Sequence, residues 1–156
     1  MASDELALDQ EIQLFLAACR TASLATVDDQ GRPCAANVQY VSDEGWRLYW
    51  VSGESTAHSV NLTARTEAAV TVYAHLDEPE SIHGVQLRGQ AQAIGGVDAE
   101  RALRLYTAKY PFVAESPYRD KVLAQRFYRF TPAWMRWIDN RRGFGWKVEK
   151  DLARRD

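Results

Sequence analysis

Hydroxyl groups and an imidazole cluster in residues 52–59 (SGESTAHS), where a predicted strand ends and a short predicted helix begins. The first turn of a helix has unpaired N–H groups and a partial positive charge, and both suit a phosphate group. The side chains that could bind a phosphate are Ser55, Thr56, Ser59 and, as a cation, His58. Simple capping of the helix by Ser52 or Ser55 explains the same pattern, and the carboxylate of Glu54 opposes an anion.

Aromatic and arginine side chains are interleaved in the C-terminal segment, residues 126–146. The aromatic residues are Phe127, Tyr128, Phe130, Trp134, Trp137, Phe144 and Trp146, and the arginines are Arg126, Arg129, Arg136, Arg141 and Arg142. Strand alternation sends them to both faces, so they cannot all enter one small core. Such mixed surfaces favour partner interfaces and flat ligands. Packing of arginine stems over tryptophan rings, or a platform for single-stranded nucleic acid, would use the same residues.

Amide side chains form a polar stripe on a predicted strand, residues 85–94. The stripe consists of Gln86, Arg88, Gln90 and Gln92, and an earlier strand adds Asn37 and Gln39. Amides can both donate to and accept from the edge of a heterocycle such as a flavin ring. A solvated outer sheet face explains the stripe equally well. Gly89, in the middle of this strand, predicts a bulge or the close approach of another group.

The sequence carries no hydrolase, kinase or dinucleotide-binding motif: GxSxG, the Walker loop and GxGxxG do not occur in it. Two isolated cysteines and three scattered histidines lack the spacing of a structural zinc site. His75 and His83 flank the acidic loop LDEPES, which leaves a weak metal site open. If the protein is an enzyme, we therefore expect a bound cofactor to carry the reaction.

The chain of 156 residues is long enough for one domain, which we expect to span residues 1–156. Its 19 Lys and Arg against 21 Asp and Glu give a net charge of -2, which argues against general nucleic-acid binding. No apolar run has the length needed to cross a bilayer. The first residues, MASDELALDQ, carry acids where a signal peptide would carry Lys or Arg. These features predict a cytoplasmic protein that binds neither nucleic acid nor membrane.

Hydrophobic periodicity predicts a helix over residues 1–20, followed by strands separated by short turns. The predicted strands are residues 21–27, 34–42, 46–52, 68–75, 85–94 and 126–138, with a last short strand in the tail. Further helices are predicted after residue 52, over residues 98–110 with Asp98 as cap, and over residues 116–125. Pro132 marks an edge or a bulge in the longest strand. The sequence thus predicts a mainly β (α+β) fold, an antiparallel barrel of six to seven strands with flanking helices.

The order of these segments resembles the FMN-binding split-barrel family that includes pyridoxamine 5'-phosphate oxidase. The opening hairpin of the family resembles SLATVDDQGRPCAANVQYV, and its third strand and phosphate-binding helix start resemble LYWVSGESTAHSVNL. Its strand with a central glycine resembles GVQLRGQA, and its C-terminal strand and loop resemble FYRFTPAWMRWIDNRRGFGWK. A small bacterial branch, the YhbP group, is similar in the pair GVQLRG and DNRRGFGWK. The resemblance runs over most of the chain and implies a split β-barrel.

The resemblance also implies a homodimer with two FMN sites at the subunit interface. The residues that would lie along the isoalloxazine ring, partly through backbone groups, are Asn37, Val38, Gln39 and Tyr40. Those that would flank the ring and the ribityl chain are Trp50, Val51 and Ser52, and those near the phosphate are Thr56, His58 and Ser59. Those that would approach from the other subunit or close the pocket are Gln86, Arg88, Trp137, Arg141, Arg142 and Trp146.

The sequence departs from the family pattern at two places. Many relatives carry Lys or Arg at the phosphate-binding turn, where this sequence has Thr56, Ala57 and His58; Arg141 or Arg142 could take over that role. The substrate-binding Arg-x-His motif of the true pyridoxamine-phosphate oxidases does not occur near the end of the chain, which reads DLARRD. The resemblance therefore implies flavin chemistry without implying that particular reaction.

The leading hypothesis is an FMN-dependent oxidoreductase that acts on an unknown small molecule. The alternative is a non-enzymatic binder or carrier of flavin, deazaflavin or haem on the same dimeric scaffold, with His58, His75 or His83 as an axial haem ligand. A third hypothesis is an interaction module without a ligand, in which the aromatic and arginine segment forms the interface.

Overall fold

Seven antiparallel strands form one sheet in the computed structural model, which describes residues 2–74 and 77–153. The strands are β1 (Thr21–Val27), β2 (Pro33–Ser42), β3 (Leu48–Ser52), β4 (Glu67–Tyr73), β5 (His83–Ile94), β6 (Arg126–Asp139) and β7 (Lys147–Asp151). They pair in the order β3-β2-β1-β4-β5-β6-β7, and β3 pairs again with β6. This second pairing closes β1 to β6 into a barrel and leaves β7 as an extra strand beside β6. The predicted mainly β, antiparallel barrel is confirmed.

Helices flank the barrel within the described residues. They are α1 (Ala2–Ala18), α2 (Ala57–Ala64), α3 (Gly96–Lys109) and α4 (Tyr118–Leu123). Helix α1 buries Ile12 and Leu16 completely in the barrel core, as its apolar spacing predicts. Helix α3 buries Ala102 and Tyr106 in a second apolar cluster that includes Tyr49 of β3. Within residues 2–74 and 77–153, no helix has the length and apolar character needed to cross a bilayer.

The 14-residue strand β6 pairs with three other strands. Its pairing with both β3 and β5 closes the barrel. Its first residues pair with β3 and its later residues with β7, while β5 runs beside both parts. The register between β5 and β6 shifts by one residue, since Arg88 faces Trp134 but Gly89 faces Pro132. This shift is the bulge that Gly89 and Pro132 predict.

Alternating residues of β1, β4 and most of β5 fill the barrel, as their period of two predicts. In β5, Val85 and Leu87 are buried, whereas Gln90 and Gln92 are exposed. The aromatic residues of β6 divide between the two clusters, with Tyr128, Phe130 and Trp137 in the barrel and Phe127 in the second cluster. The expectation that these aromatics cannot share one core is therefore confirmed.

The turn between β2 and β3 differs from the prediction, since β3 begins at Leu48 rather than at residue 46. Trp46 has a left-handed backbone with a φ of 60°, and its indole is buried in the core. The Asp43 carboxylate accepts hydrogen bonds from the backbone N–H groups of Gly45 (2.9 Å) and Arg47 (3.0 Å). These turn hydrogen bonds override the strand propensity of the tryptophan.

Replacing Asp43 by alanine should lower the free energy of unfolding by about 2–4 kcal/mol. The buried Asp43 carboxylate also accepts hydrogen bonds from Arg47 Nε (2.8 Å) and from the Tyr49 hydroxyl (3.0 Å). The variant leaves the Tyr49 hydroxyl without this acceptor, which adds to the loss of the turn. Urea unfolding followed by tryptophan fluorescence measures the difference.

Asp28→Ala is the matched control, because Asp28 accepts equivalent hydrogen bonds from Gln30 N, Arg32 N and Arg32 Nε in the turn between β1 and β2. Arg32 is largely exposed there, so we expect a clearly smaller loss of stability. Equal losses for the two variants would contradict the role given to the Tyr49 contact.

Helix boundaries account for the other differences from the sequence prediction. Gly95 caps α3, and Asp98 instead accepts a hydrogen bond from Arg129 Nη1 (3.1 Å). The helix predicted over residues 116–125 covers only Tyr118–Leu123, because Pro117 occupies the N-cap position. The strand predicted over residues 68–75 ends at Tyr73, and His75 lies outside the described residues.

Candidate functional site

Four residues predicted to contact a cofactor are linked in a chain of hydrogen-bond distances at the start of α2. Ser52 Oγ lies 2.8 Å from His58 Nε2, and Thr56 Oγ1 lies 3.2 Å from the same nitrogen. Thr56 Oγ1 also lies 2.8 Å from Ser59 Oγ and donates to the carbonyl oxygen of Gly53 (3.0 Å). The end of β3 and the first turn of α2 thus form one group, the α2 cluster, which consists of Ser52, Thr56, His58 and Ser59.

Thr56 is the N-cap residue of α2, with an extended backbone at φ −66° and ψ 149°. Its side-chain oxygen accepts a hydrogen bond from the backbone N–H of Ser59 (3.4 Å). The expectation of a cap by Ser52 or Ser55 is therefore wrong. Ser55 is exposed, and the first N–H groups of the helix beside it have no intrahelical acceptor. Ala57, the first residue of the helix, is exposed as well, so this end of α2 borders solvent.

Glu54, the acid in this segment, is paired with an arginine from another strand. Arg126 Nε lies 3.5 Å from Glu54 Oε1, and both side chains are largely exposed. Gln125 packs against the same turn, since a Cβ on Gly53 would lie 3.3 Å from Gln125 Oε1. An exposed ion pair of this kind contributes little to stability. The ion pair matters for anion binding instead, because the positive charge of Arg126 offsets the negative charge that Glu54 would present to an anion.

Partial burial lowers the pKa of His58 below its ordinary value of 6.5. The imidazole is therefore neutral at pH 7 when no anion is bound, and it acts as a hydrogen-bonding group. A bound phosphate dianion would favour the protonated ring and raise the pKa again. The predicted role of His58 as a cation thus depends on the presence of the anion.

The lowered pKa of His58 predicts that stability falls as the pH drops below about 6.5. In that range the unfolded chain binds a proton at this imidazole that the folded chain does not bind, so protonation favours unfolding. His58→Gln should therefore show a weaker loss of stability than the wild-type chain between about pH 7.5 and pH 5.5. Urea titrations at both pH values measure this. An unchanged pH dependence in the variant would contradict the burial of the ring.

A row of polar side chains crosses the outer face of the sheet, one from each of five adjacent strands. In register order this polar row is Asn37, Ser23, Thr71, Gln86 and Arg136. Ser23 Oγ donates to Asn37 Oδ1 (2.9 Å), and Arg136 Nη1 donates to Gln86 Oε1 (3.3 Å). A shallow cavity of about 250 Å³ is lined by Thr21, Ser23, Asn37, Thr71 and Tyr73. Two predicted cofactor contacts, Asn37 and Gln86, therefore share one surface.

Three other predicted residues contact apolar or aromatic neighbours. The guanidinium carbon of Arg88 lies 4.0 Å from the ring centroid of Trp134. Gln39 Oε1 accepts a hydrogen bond from the Tyr106 hydroxyl of α3 (3.4 Å). Val51 packs against the second apolar cluster. None of these three contacts joins its residue to the α2 cluster.

Four predicted cofactor residues have their side chains in the barrel core. They are Val38, Tyr40, Trp50 and Trp137. The Tyr40 hydroxyl donates to the backbone carbonyl of Leu16 (2.7 Å), and Trp50 stacks on Tyr128 with ring centroids 5.7 Å apart. Because these side chains are enclosed, only backbone groups of the four residues can contact a ligand outside the barrel.

The last three predicted residues lie where α1 meets the loop after β6. Asp139 is buried and accepts hydrogen bonds from Arg141 Nε (2.7 Å) and Arg142 Nε (3.1 Å). Burial acts to raise the pKa of Asp139, but the hydrogen bonds from the two arginines outweigh it and lower the pKa overall. Both guanidinium groups also pair with Glu11 of α1, and Arg142 lies over Trp146. Within this chain the two arginines therefore bind carboxylates.

His83 is fixed in orientation at the start of β5. Its Nδ1 lies 2.8 Å from the carbonyl oxygen of Ser81, and its ring packs edge-on against Phe15 and Trp137. A carbonyl oxygen only accepts, so Nδ1 carries the proton and Nε2 keeps its lone pair in the neutral ring. Among the described residues, no group of three His, Cys, Asp or Glu could hold a metal ion. The weak metal site predicted around His75 lies partly outside the described residues.

Sequence reasoning missed the residues that depend on strand pairing. Ser23 and Thr71 enter the polar row through the registers of β1 with β2 and of β1 with β4, which no local pattern reveals. Asp139 had one usable signal, since it stands two residues before the pair Arg141 and Arg142, but its burial depends on tertiary packing.

The family of the chain follows from a comparison with known proteins. Residues 8–139 match the family model described as pyridoxamine 5'-phosphate oxidase. The chain belongs to this family. The resemblance inferred from the sequence motifs is confirmed, and the match covers the barrel from α1 to the end of β6.

Curated relatives place this member of the pyridoxamine 5'-phosphate oxidase family in a YhbP-like branch. A UPF0306 protein of Enterobacter sp. (strain 638) is 24% identical over 115 residues, 74% of this chain and 76% of the relative. A UPF0306 protein of Pasteurella multocida is 31% identical over 98 residues, 62% of this chain and 60% of the relative. The UPF0306 protein YhbP of Escherichia coli O157:H7 is 24% identical over 123 residues, 78% of this chain and 79% of YhbP.

Solved structures similar to this family member include haem-binding and flavin-binding proteins. A haem-binding protein from Mycobacterium smegmatis has a TM-score of 0.77 at 20% identity, over 93% of this chain and 58% of that one. HutZ, the haem storage protein from Vibrio cholerae, has a TM-score of 0.68 at 16% identity, over 80% and 89%. An FAD-binding protein from Mesorhizobium loti has a TM-score of 0.60 at 18% identity, over 81% and 90%. At these identities the similarity establishes the split-barrel fold.

Proposed function

We propose that this protein is a homodimeric flavoprotein that binds FMN with its phosphate at the α2 cluster and acts as an oxidoreductase on a small molecule. The observation that carries the proposal is the first turn of α2, where three hydroxyls and one imidazole are linked by hydrogen-bond distances at the N-terminus of a helix. Membership of the pyridoxamine 5'-phosphate oxidase family supports the choice of a flavin.

The chemistry of the α2 cluster fits a phosphate group. A phosphate has several acceptor oxygens, and Ser52, Ser55 and the first N–H groups of α2 can each donate to one of them. The pairing of Glu54 with Arg126 reduces the repulsion that an unpaired carboxylate would exert. His58 can take up a proton when the dianion binds and then contribute a charge-assisted hydrogen bond.

The polar row offers hydrogen bonds that suit the ring edge of a flavin. The amides of Asn37 and Gln86 both donate and accept, and Arg136 donates to Gln86. When bound, FMN supplies reversible electron and hydride transfer, while these residues bind and orient the ring. In the proposed homodimer, a second copy covers the outer face of the sheet and shields the ring from water.

A titration with FMN tests the proposal, followed by the visible absorbance of the flavin and by quenching of its fluorescence. We expect saturable binding with a dissociation constant at or below the order of 10 µM, which corresponds to about 7 kcal/mol. Light scattering should give twice the 17.7 kDa mass of the chain. Reduction of the bound flavin by NADH or NADPH would support the oxidoreductase role. Lack of saturable binding by a dimeric, folded sample would reject the FMN proposal.

Haem binding is a second candidate, and the orientation of His83 favours it. Metal-ligating histidines commonly donate one ring N–H to a backbone carbonyl, as Nδ1 of His83 does to Ser81, which leaves Nε2 for the iron. His83 is also one of the residues that line an apolar cavity of about 210 Å³, together with Tyr73, Ile82 and Ile138. The haem-binding and haem storage proteins of similar fold add support.

A haem titration of wild type and His83→Ala separates the two candidates. If His83 ligates the iron, the wild-type chain should give a sharp Soret band that the variant lacks, while FMN binding stays the same in both. A Soret band of equal strength in the variant would reject His83 as the ligand.

A further inference from the structure

We propose that Lys109 is a modification site, the lysine of this protein that accepts acyl groups from activated donors such as acyl phosphates and thioesters. Lys109 is the last residue of α3 and is half-buried against the junction of α1 and β1. The inference is independent of any flavin, because it depends on the surroundings of one amine.

The geometry around Lys109 Nζ is unusual for a lysine. The ammonium group donates to the backbone carbonyl of Cys19 and lies 4.4 Å from the ring centroid of Tyr40 and 5.7 Å from that of Tyr110. Within residues 2–74 and 77–153, no carboxylate forms an ion pair with this amine. An aromatic wall and one carbonyl oxygen stabilise the charged form less than a carboxylate does.

The titratable and charged groups that face Lys109 come from the connection between α1 and β1, from β2 and from the residue after α3. They are the Cys19 thiol after α1, the Arg20 guanidinium before β1, the Tyr40 hydroxyl of β2 and the Tyr110 hydroxyl after α3. Burial lowers the pKa of Lys109 to about 8; the interaction with Cys19 acts in the opposite direction, and the positive charge of Arg20 lowers the pKa further. A substantial fraction of the amine is therefore neutral at physiological pH, and only the neutral amine is nucleophilic.

The other lysines of the chain lie in different surroundings, which makes them internal references. Lys150 pairs with Glu5 and Asp9 of α1. Lys121 and Lys147 are exposed to solvent. The sequence contains these four lysines only, so one peptide digest reports on all of them.

The reaction is an acyl transfer without any redox step. The nitrogen lone pair of Lys109 attacks the acyl carbonyl carbon, a C–N bond forms, and the bond from that carbon to sulfur or to the phosphate oxygen breaks. The leaving thiolate or phosphate takes the electron pair of the broken bond, and the amine releases one proton to solvent. The product amide is uncharged, so acylation removes the contact of a cation with the Tyr40 ring.

Competitive acetylation with a limiting amount of acetyl phosphate tests the inference on the full folded chain. At pH 7.5, mass spectrometry of the digest should find Lys109 acetylated at least about tenfold faster than the exposed Lys147, because a pKa near 8 leaves a substantial fraction of the Lys109 amine neutral. The Lys109 rate should level off above about pH 8.5, whereas the rate of an ordinary lysine continues to rise. Acetylation of Lys109 no faster than Lys147 would overturn the proposal.

Two surface variants sharpen the test. Arg20→Gln removes the nearby positive charge and should slow acetylation of Lys109 relative to Lys147, while Arg104→Gln, an exposed change elsewhere on α3, should leave the ratio unchanged. Equal ratios in the two variants would show that the charge of Arg20 does not act on the amine and would contradict the proposed cause of its reactivity.

Discussion

Replacing Gly89 by alanine is expected to lower the free energy of unfolding by about 4 kcal/mol or more, enough to unfold a typical domain of this size in part. A Cβ at this position would lie 2.0 Å from the carbonyl oxygen of Thr131 and 2.9 Å from Cα of Pro132. Both are backbone atoms of β6, which pairs with β3, β5 and β7 and cannot move away from one neighbour alone. Thermal or urea unfolding of the purified variant measures the loss.

Gly95→Ala is the control for the Gly89 variant. No atom lies within 4 Å of a Cβ at Gly95, which caps α3, so we expect a change of about 1 kcal/mol or less. Similar unfolding midpoints for the two variants would mean that the backbones of β5 and β6 are farther apart at the bulge than the structure shows.

Local sequence patterns predicted most of the elements because each element depends on its own residues. The alternation in β5 and the spacing of Ile12 and Leu16 in α1 follow from burial of one face, which any barrel would require. The bulge could be predicted because Gly89, without a Cβ, lets another backbone approach closely and Pro132 cannot donate a hydrogen bond to a strand ladder. The closure of the barrel through β3 and β6 has no such local cause, since it joins residues that are far apart in the chain.

The predicted start of β3 and the predicted N-cap of α3 were wrong. In both cases a side chain from another position determines the local backbone conformation or the capping residue. Trp46 has a strong strand propensity, yet the Asp43 carboxylate holds it in a turn. Asp98 has the side chain of a good N-cap, yet Arg129 of β6 attracts it and Gly95 takes the cap position. In both cases a tertiary or turn hydrogen bond outweighs a preference of a few tenths of a kcal/mol to about 1 kcal/mol.

The candidate site also has one part that local sequence could predict and one part that depends on strand pairing. Thr56, His58 and Ser59 lie within one helical turn, so their proximity is a local property and could be predicted from their spacing. The polar row draws one residue from each of five strands, so it depends on four registers that the sequence does not specify locally. The position of Arg141 was unpredictable for a further reason, because Asp139 and Glu11 satisfy its charge.

Replacing Ser55 by glutamate is expected to weaken the binding of FMN at least about tenfold, equivalent to about 1.4 kcal/mol. Ser55 is exposed beside the first turn of α2, so the variant should fold and should place a carboxylate near the proposed position of the phosphate dianion. Like charges of −1 and −2 separated by about 5 Å repel each other by more than 1 kcal/mol even in water. Parallel titrations with FMN and with riboflavin, which lacks the phosphate, measure the effect.

Riboflavin and Ser55→Gln are the two controls for this prediction. Riboflavin should bind equally to wild type and to the glutamate variant, because in the proposed site the polar row would hold its ring and it carries no charge for the new carboxylate to repel. Ser55→Gln has a side chain of the same size without the charge, so it should retain most of the FMN affinity. An equal loss of both ligands in Ser55→Glu would indicate a distorted turn, and unchanged FMN binding would place the phosphate away from α2 and contradict the proposed site.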